Sequence, residues 1–546
     1  MRNTIVCAVT VGVLSLALSA QGARNGRGAR GAAAAATTTT AAPAPAPQAA
    51  PAPPAARGRG GPGPAGPNDF YDYSNSASEA APIRDAAPVE TPQKISLAGT
   101  DVSYTARAGY MPINNATTGQ PEAHIFYTYY SVTGATGDRP VLFVLGGAPG
   151  SAASWLELDG FGPKRLAVGA DGTADLPPYH WQDNPDTLLG RADLVFVNPI
   201  GTGFSRVTTP SLNAKFSTPA EDAASLGEFV RSFLAQYDRW NSPRYIAGED
   251  RGTGRVATLA SYLTAHEIPL NGAIVLSTAV ATDADAGDEK FMTLLPSLVL
   301  TSWYHKKLSS DLQAMSAAQV ADVARQFASR EYLHALYQGD RMPAAERAKV
   351  IADLARLTGL SKAYIANNDL RLTTERYDAE LLREQHETLS DSDSRYGGYL
   401  HPGAAGGRGG FGAPAPSLDA RSAAMANGLL AAYEQYLRHD LHFDDNGVYY
   451  LQQGGTAPWT ATATDDAGLD AAWDRNPAMR VFVALNYFDL NSPFYAGEFT
   501  IAHLSAPAAT LRQNLTTTHF EAGSMPYADA QAGKQLTADL AKFIHN

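Results

Sequence analysis

A chain of 546 residues with 45% apolar and 18% charged content can build a substantial core, as one large domain or two ordinary ones. Its formal net charge of −12, with no basic stripe interleaved with aromatics, argues against a nucleic-acid partner. Arg2 followed by the apolar run Ile5–Leu18 and small residues around Ala20 and Gly22 reads as a signal peptide over residues 1–22, too short for a membrane span. A retained N-terminal anchor is the competing reading. The single cysteine, Cys7, lies inside this segment without lipobox spacing, so the mature chain is expected to hold no disulfide, thiolate site or cysteine nucleophile. The expected location is secreted or periplasmic, with no membrane span in the mature chain.

Residues 23–68 are almost wholly Ala, Pro, Gly, Thr and Arg, and cannot bury enough apolar surface to offset the entropy of ordering. They read as a disordered or polyproline-like spacer. Folded structure is expected from about Lys94. Strand signals follow at H-I-F-Y-T-Y-Y (124–130), P-V-L-F-V-L-G-G (140–147), A-D-L-V-F-V-N-P (192–199), R-Y-I-A-G (244–248) and G-A-I-V-L-S-T (272–278). Residues 223–234 have helical spacing. Near-continuous apolar strands between helices predict an α/β fold with a mostly parallel central sheet buried on both faces. After residue 282 come amphipathic helices, among them 317–327 and 344–357, a Gly-rich loop at 397–416, and a returning strand at 480–488. The expectation is a core formed by 94–282 and 476–546, interrupted by a helical insertion at 283–475 that lies as a lid over the sheet's C-terminal edge.

The turn G-E-D-R-G (248–252) stands where an α/β-hydrolase carries its G-x-S-x-G nucleophile elbow, with Asp250 at the nucleophile position. Taken alone, it reads sooner as an ordinary strand–helix turn with Asp250 as a solvated cap. The Gly-rich stretch 142–151 could offer backbone N–H groups to an oxyanion. Asp489 follows a strand where a triad acid would sit, and Ser524 stands where the base would sit. The order elbow, acid, base is that of α/β-hydrolases. Glu249, Asp250 and Asp489 could converge, and Arg251 could neutralise part of their charge. No ligand spacing points to a metal, and none is expected; no cofactor is expected either.

Seven stretches in order resemble the serine carboxypeptidase family: 139–151, 161–166, 194–205, 245–253, 393–398, 487–494 and 521–527. The resemblance runs from about Lys94 to Ile544. It implies an α/β-hydrolase core with a helical insertion, and descent from acid-active exopeptidases that remove C-terminal residues. The family has Ser where this chain has Asp250, and His where it has Ser524. Its Asn-Gly-Gly-Pro-Gly loop reads Gly146, Gly147, Ala148, Pro149, Gly150 here, and its Tyr after the nucleophile is Arg251. The triad acid survives as Asp489, and Glu249 matches a residue that helps bind the substrate's terminal carboxylate. Gly147, Ala148 and Arg251 complete the substrate-binding positions that the resemblance points to.

Acyl transfer needs a nucleophile and a base within hydrogen-bond reach, and a seryl hydroxyl does not act as a base at ordinary pH. An aspartate nucleophile at 250 would still need a histidine. His519 is expected inside a strand, and His503 in the helix that follows Asp489. The reading is therefore a secreted carboxypeptidase-like protein without peptidase chemistry, keeping a cleft for peptide C-termini or another small ligand. Two others stay open: an active serine-type carboxypeptidase with an atypical site, and a cell-envelope structural or interaction protein.

Overall fold

In the computed structural model the described residues are 86–135, 138–147, 150–168, 177–249, 254–277, 287–399, 420–452 and 465–545. The signal-peptide and spacer segments lie outside them, as do Ala148, Asp250, Arg251 and residues 400–416 of the Gly-rich loop.

One ten-stranded sheet organises the rest. Its strands are β1 (Val89–Leu97), β2 (Thr100–Asn114), β3 (Pro121–Val132), β4 (Val141–Leu145), β5 (Asp193–Val197), β6 (Arg206–Val207), β7 (Arg244–Glu249), β8 (Gly272–Leu276), β9 (Arg480–Asn486) and β10 (Leu515–Phe520). The order is β1-β2-β3-β5-β4-β7-β8-β9-β10, with β6 paired to β3. From β5 to β10 the pairings are parallel; β1, β2, β3 and β6 form an antiparallel edge. All five residues of each of β4, β5 and β8 are buried, so these strands are covered on both faces. Alternation assigns the faces: Val141, Phe143, Leu145, Val195 and Val197 join one apolar cluster, and Leu142, Val144, Leu194 and Phe196 join the other.

Helices α1 (Pro219–Gln236) and α2 (Arg255–Ala265) cover the first face. The start of α1 is written in its sequence: Pro219 takes the first turn, and the Thr218 hydroxyl accepts from the Glu221 N–H. The predicted insertion divides between the two faces. Helices α3 (Glu289–Tyr304), α4 (Ala317–Phe327, with a Ser316/Gln319 capping box) and α5 (Ala344–Thr358) extend the first cluster. Helix α6 (Ala420–His439) buries Met425, Leu429, Tyr433 and Tyr436 in the second. That second face also holds the π-helical turn Glu157–Phe161 and the C-terminal helix α8 (Ala530–His545), while α7 (Phe494–Ala502) lies against the first. The insertion is not purely helical, because Glu387–Leu389 pairs antiparallel with Gly397–Tyr399. Among the described residues no helix is long and apolar enough to cross a membrane.

Candidate active site

The parallel strands deliver their loops to one edge, where α/β sheets bind ligands. Gly146 and Gly147 leave β4, Glu249 ends β7, Ser277 follows β8, Asp489 follows β9 and Ser524 follows β10. Four predicted site residues, Gly147, Glu249, Asp489 and Ser524, are thus placed at the ends of neighbouring strands. Ala148, Asp250 and Arg251, the other three, lie outside the described residues.

Asp489 is fully buried. Its Oδ1 accepts the backbone N–H groups of Asn491 and Ser492, each at 3.0 Å. Its Oδ2 accepts a short hydrogen bond from the hydroxyl of Ser277, itself buried. Ser277 has φ +58°, a left-handed conformation that a side chain rarely adopts. The serine is therefore held in a costly backbone state with its hydroxyl on the buried Asp489 carboxylate.

Ser524 is also buried, and its Oγ has no hydrogen-bond partner among the described residues. Its loop runs beside that of Asp489: Tyr487 and Phe488 donate their N–H groups to the carbonyls of Phe520 and Ala522, each at 3.0 Å. Residues Ser390–Arg395 strap the two loops together. Ser524 donates its N–H to the Ser392 carbonyl at 2.6 Å, Ser394 donates to Phe488 at 2.9 Å, and Leu490 donates to Asp391 at 2.9 Å. The strap is anchored by Arg395, which makes a two-pronged pair with Asp393 at 2.7 and 2.9 Å and reaches Asp529 at 3.0 Å. Position 523 must be glycine, because a Cβ there would run into the Ser392 carbonyl and Asp393.

On the other side of the site, Glu249 is buried and accepts a short hydrogen bond from the Tyr527 hydroxyl. A Cβ at Gly147 would stand 2.9 Å from Glu249 Oε2, so the bare backbone at 147 is what lets the carboxylate approach this loop. The loop is clamped from below by Arg255, in the first turn of α2. Its Nη1 donates to the carbonyls of Gly146, at 2.7 Å, and Gly147, and its Nε donates to Asp222 Oδ2 of α1 at 2.9 Å. Burial raises the proton affinity of the Asp222 carboxyl, and Arg255 opposes that shift.

The histidines that sequence brings closest are engaged elsewhere. His519 lies in β10 and bonds Glu498 at 2.6 Å, which in turn pairs with Arg325 of α4 at 2.6 Å. His503 follows α7, exposed, with Nδ1 on the Phe499 carbonyl at 2.7 Å. His305, after α3, reaches the strap at the Ser394 carbonyl at 2.8 Å, and burial lowers its pKa. Among the described residues no group of three or more His, Cys, Asp or Glu side chains is placed to hold a metal ion.

Sequence reasoning missed Ser277, the Arg255–Asp222 clamp and the bracing role of 390–395. Ser277 had a legible signal as the first polar residue after the apolar run of a predicted strand beside the elbow strand. Tyr527 lay within a recognised motif, but its partner Glu249 is 278 positions away.

Residues 96–354 match the family model for serine carboxypeptidases. No curated protein matches the chain. Among solved structures the chain is similar to Kex1(Δ)p, a prohormone-processing carboxypeptidase from Saccharomyces cerevisiae, at 12% identity and TM-score 0.50, covering 80% of this chain and 91% of that one. It is also similar to the peroxisomal α/β-hydrolase Lpx1 of Saccharomyces cerevisiae, at 8% identity and TM-score 0.31, covering 81% and 89%. A third is juvenile hormone epoxide hydrolase from the silkworm Bombyx mori, at 12% identity and TM-score 0.28, covering 81% and 78%.

Proposed function

We propose that this chain, whose residues 96–354 match the serine carboxypeptidase model, is a secreted carboxypeptidase-like protein that has lost peptidase chemistry and binds peptide C-termini or another small ligand at the same sheet edge. The observation that carries the reading is the state of the acid and base positions. Asp489 has its Oδ2 occupied by the Ser277 hydroxyl, and Ser524 offers a buried hydroxyl where a proton carrier is required. Neither group can take a proton from a nucleophile and return it to a leaving amine. Asp250 at the nucleophile position completes the loss.

What favours retained binding is the upkeep of the opposite wall. Glu249, Tyr527, Gly147 and the Arg255 clamp form a connected arrangement around a buried carboxylate. Secretion rests on the signal-like segment 1–22.

The test is to titrate purified protein with blocked dipeptides by calorimetry at pH 5 and pH 8, while assaying release of the terminal residue. Specific binding without release is the expected result at both pH values. Release of the terminal residue would establish an active carboxypeptidase instead. Neither binding nor release would favour a structural or interaction role in the cell envelope.

A further inference from the structure

The second face of the sheet buries a carboxylate that the candidate site does not use. Glu157 opens the π-helical turn that follows the Gly-rich loop, and is 1% exposed. Its Oε1 accepts from the hydroxyls of Thr128 at 2.8 Å and Tyr130 at 2.5 Å, both on β3. Its Oε2 accepts from the Tyr433 hydroxyl of α6 at 2.7 Å. Tyr436, one turn along α6, meets Tyr130 at 3.1 Å, and the ring of Tyr449 lies 5.0 Å from that of Tyr433. The titratable groups facing Glu157 are therefore tyrosines: Tyr130 from β3, Tyr433 and Tyr436 from α6, and Tyr449 from the segment after it. Asp440 stands behind Tyr436, and among the described residues no cation is one of the groups that set the acidity of Glu157.

The cluster is mechanically joined to the candidate site. Beyond α6, Leu451 accepts the Ala152 N–H at 3.0 Å, Tyr450 and Gly203 exchange backbone bonds at 2.8 and 3.0 Å, and Ser151 bridges Gln452. Tyr449 donates to Asn198 Oδ1, which also accepts the Ala153 N–H at 2.8 Å. Whatever holds α6 against Glu157 thereby also holds 449–452 beside Ser151 and Ala152, where the loop after β4 ends.

We propose that Glu157 and its tyrosine donors form an acid-tightened latch, which fastens α6 and residues 449–452 against the loop of the candidate pocket. Burial pushes the Glu157 carboxyl up to about 7 from an ordinary 4.5, against the pull of its three hydroxyl donors. A proton bound in the closed form and not in the open one favours closure. The latch is therefore fully tight below the ordinary carboxyl value, loosens as pH rises towards 7, and is level above it. One unit of pH inside that window changes the open fraction about tenfold. The inference concerns regulation of the proposed pocket, but its test does not depend on what the pocket binds.

Hydrogen exchange of the α6 amides, corrected for intrinsic rates, reads the opening directly in the full chain. Between pH 5 and pH 7 opening should rise about tenfold per unit in the wild type. In Glu157→Gln, which keeps shape and hydrogen-bonding capacity, it should be flat. Tyr433→Phe removes a donor to the ionised form, so the upper end of the window should move to higher pH. A wild-type profile without slope, or a slope that survives Glu157→Gln, overturns the proposal. Infrared titration of the wild type supplies a check that needs no variant: a buried carboxylic acid band disappearing around neutral pH is expected, and its absence at pH 5 contradicts the latch.

Discussion

Placing a histidine at position 524 should achieve little while Ser277 occupies Asp489. The Ser277 hydroxyl is a neutral donor to a buried carboxylate, and such a bond contributes about 1.5–3 kcal/mol. Ser277→Ala loses the bond and keeps a side chain at φ +58°. Ser277→Gly loses the bond but relieves backbone strain of about 1 kcal/mol, so it should be the milder change. In Ser524→His alone, the imidazole must compete with a partner already in place, or be left buried without one. In Ser277→Gly with Ser524→His, the imidazole N–H inherits Oδ2. Denaturant unfolding of the wild type, both single variants and the double variant should then give a favourable coupling of about 1.5–3 kcal/mol. Proton NMR should add a far-downfield imidazole resonance in the double variant, absent from Ser524→His alone. Additive energies with no such resonance would refute the idea that Ser277 takes the place of the triad base.

The other expectations concern the walls of the site. Arg255→Met should cost about 3–5 kcal/mol, since it strands Asp222 as a buried charge, and the loss should shrink when Asp222→Asn is added; thermal unfolding checks both. Gly523→Ala should destabilise the strap by about 1–3 kcal/mol through overlap with Ser392 and Asp393, read as faster amide exchange in 390–395. Tyr527→Phe should weaken the binding of blocked dipeptides several-fold and lower stability by about 1–3 kcal/mol, since it takes a hydroxyl donor from the buried Glu249 carboxylate, as calorimetry and melting curves would register. Asp250→Ser with Ser524→His should give terminal-residue release only after Ser277→Gly is added, in a direct comparison of the two variants.

The central strands were legible because each is a short apolar run bounded by turn residues. The predicted 140–147, 192–199 and 272–278 enclose the observed β4, β5 and β8. Helices 317–327 and 344–357 were legible from their period and first-turn signals. The antiparallel edge was harder to see. β2 mixes exposed, half-buried and buried residues over 15 positions without a continuous apolar run, and its connection to β1 is an Ala98–Gly99 turn. The place of α6 was not legible at all. Its apolar stripe fits any sheet face, and the buried Glu157 that its Tyr433 meets lies 276 positions away. At the site, motif order located Glu249, Asp489 and Ser524, because each ends or follows a strand. It could not reveal that Ser277 had taken up Asp489, since that contact spans 212 positions and depends on a rare backbone conformation.

The most direct test of lost chemistry is active-site titration of the purified protein with a fluorophosphonate probe, alongside hydrolysis of blocked dipeptides from pH 4 to pH 8. The account predicts no labelling and no release above buffer across that range. Stoichiometric labelling of a serine, with release that the probe abolishes, would contradict it.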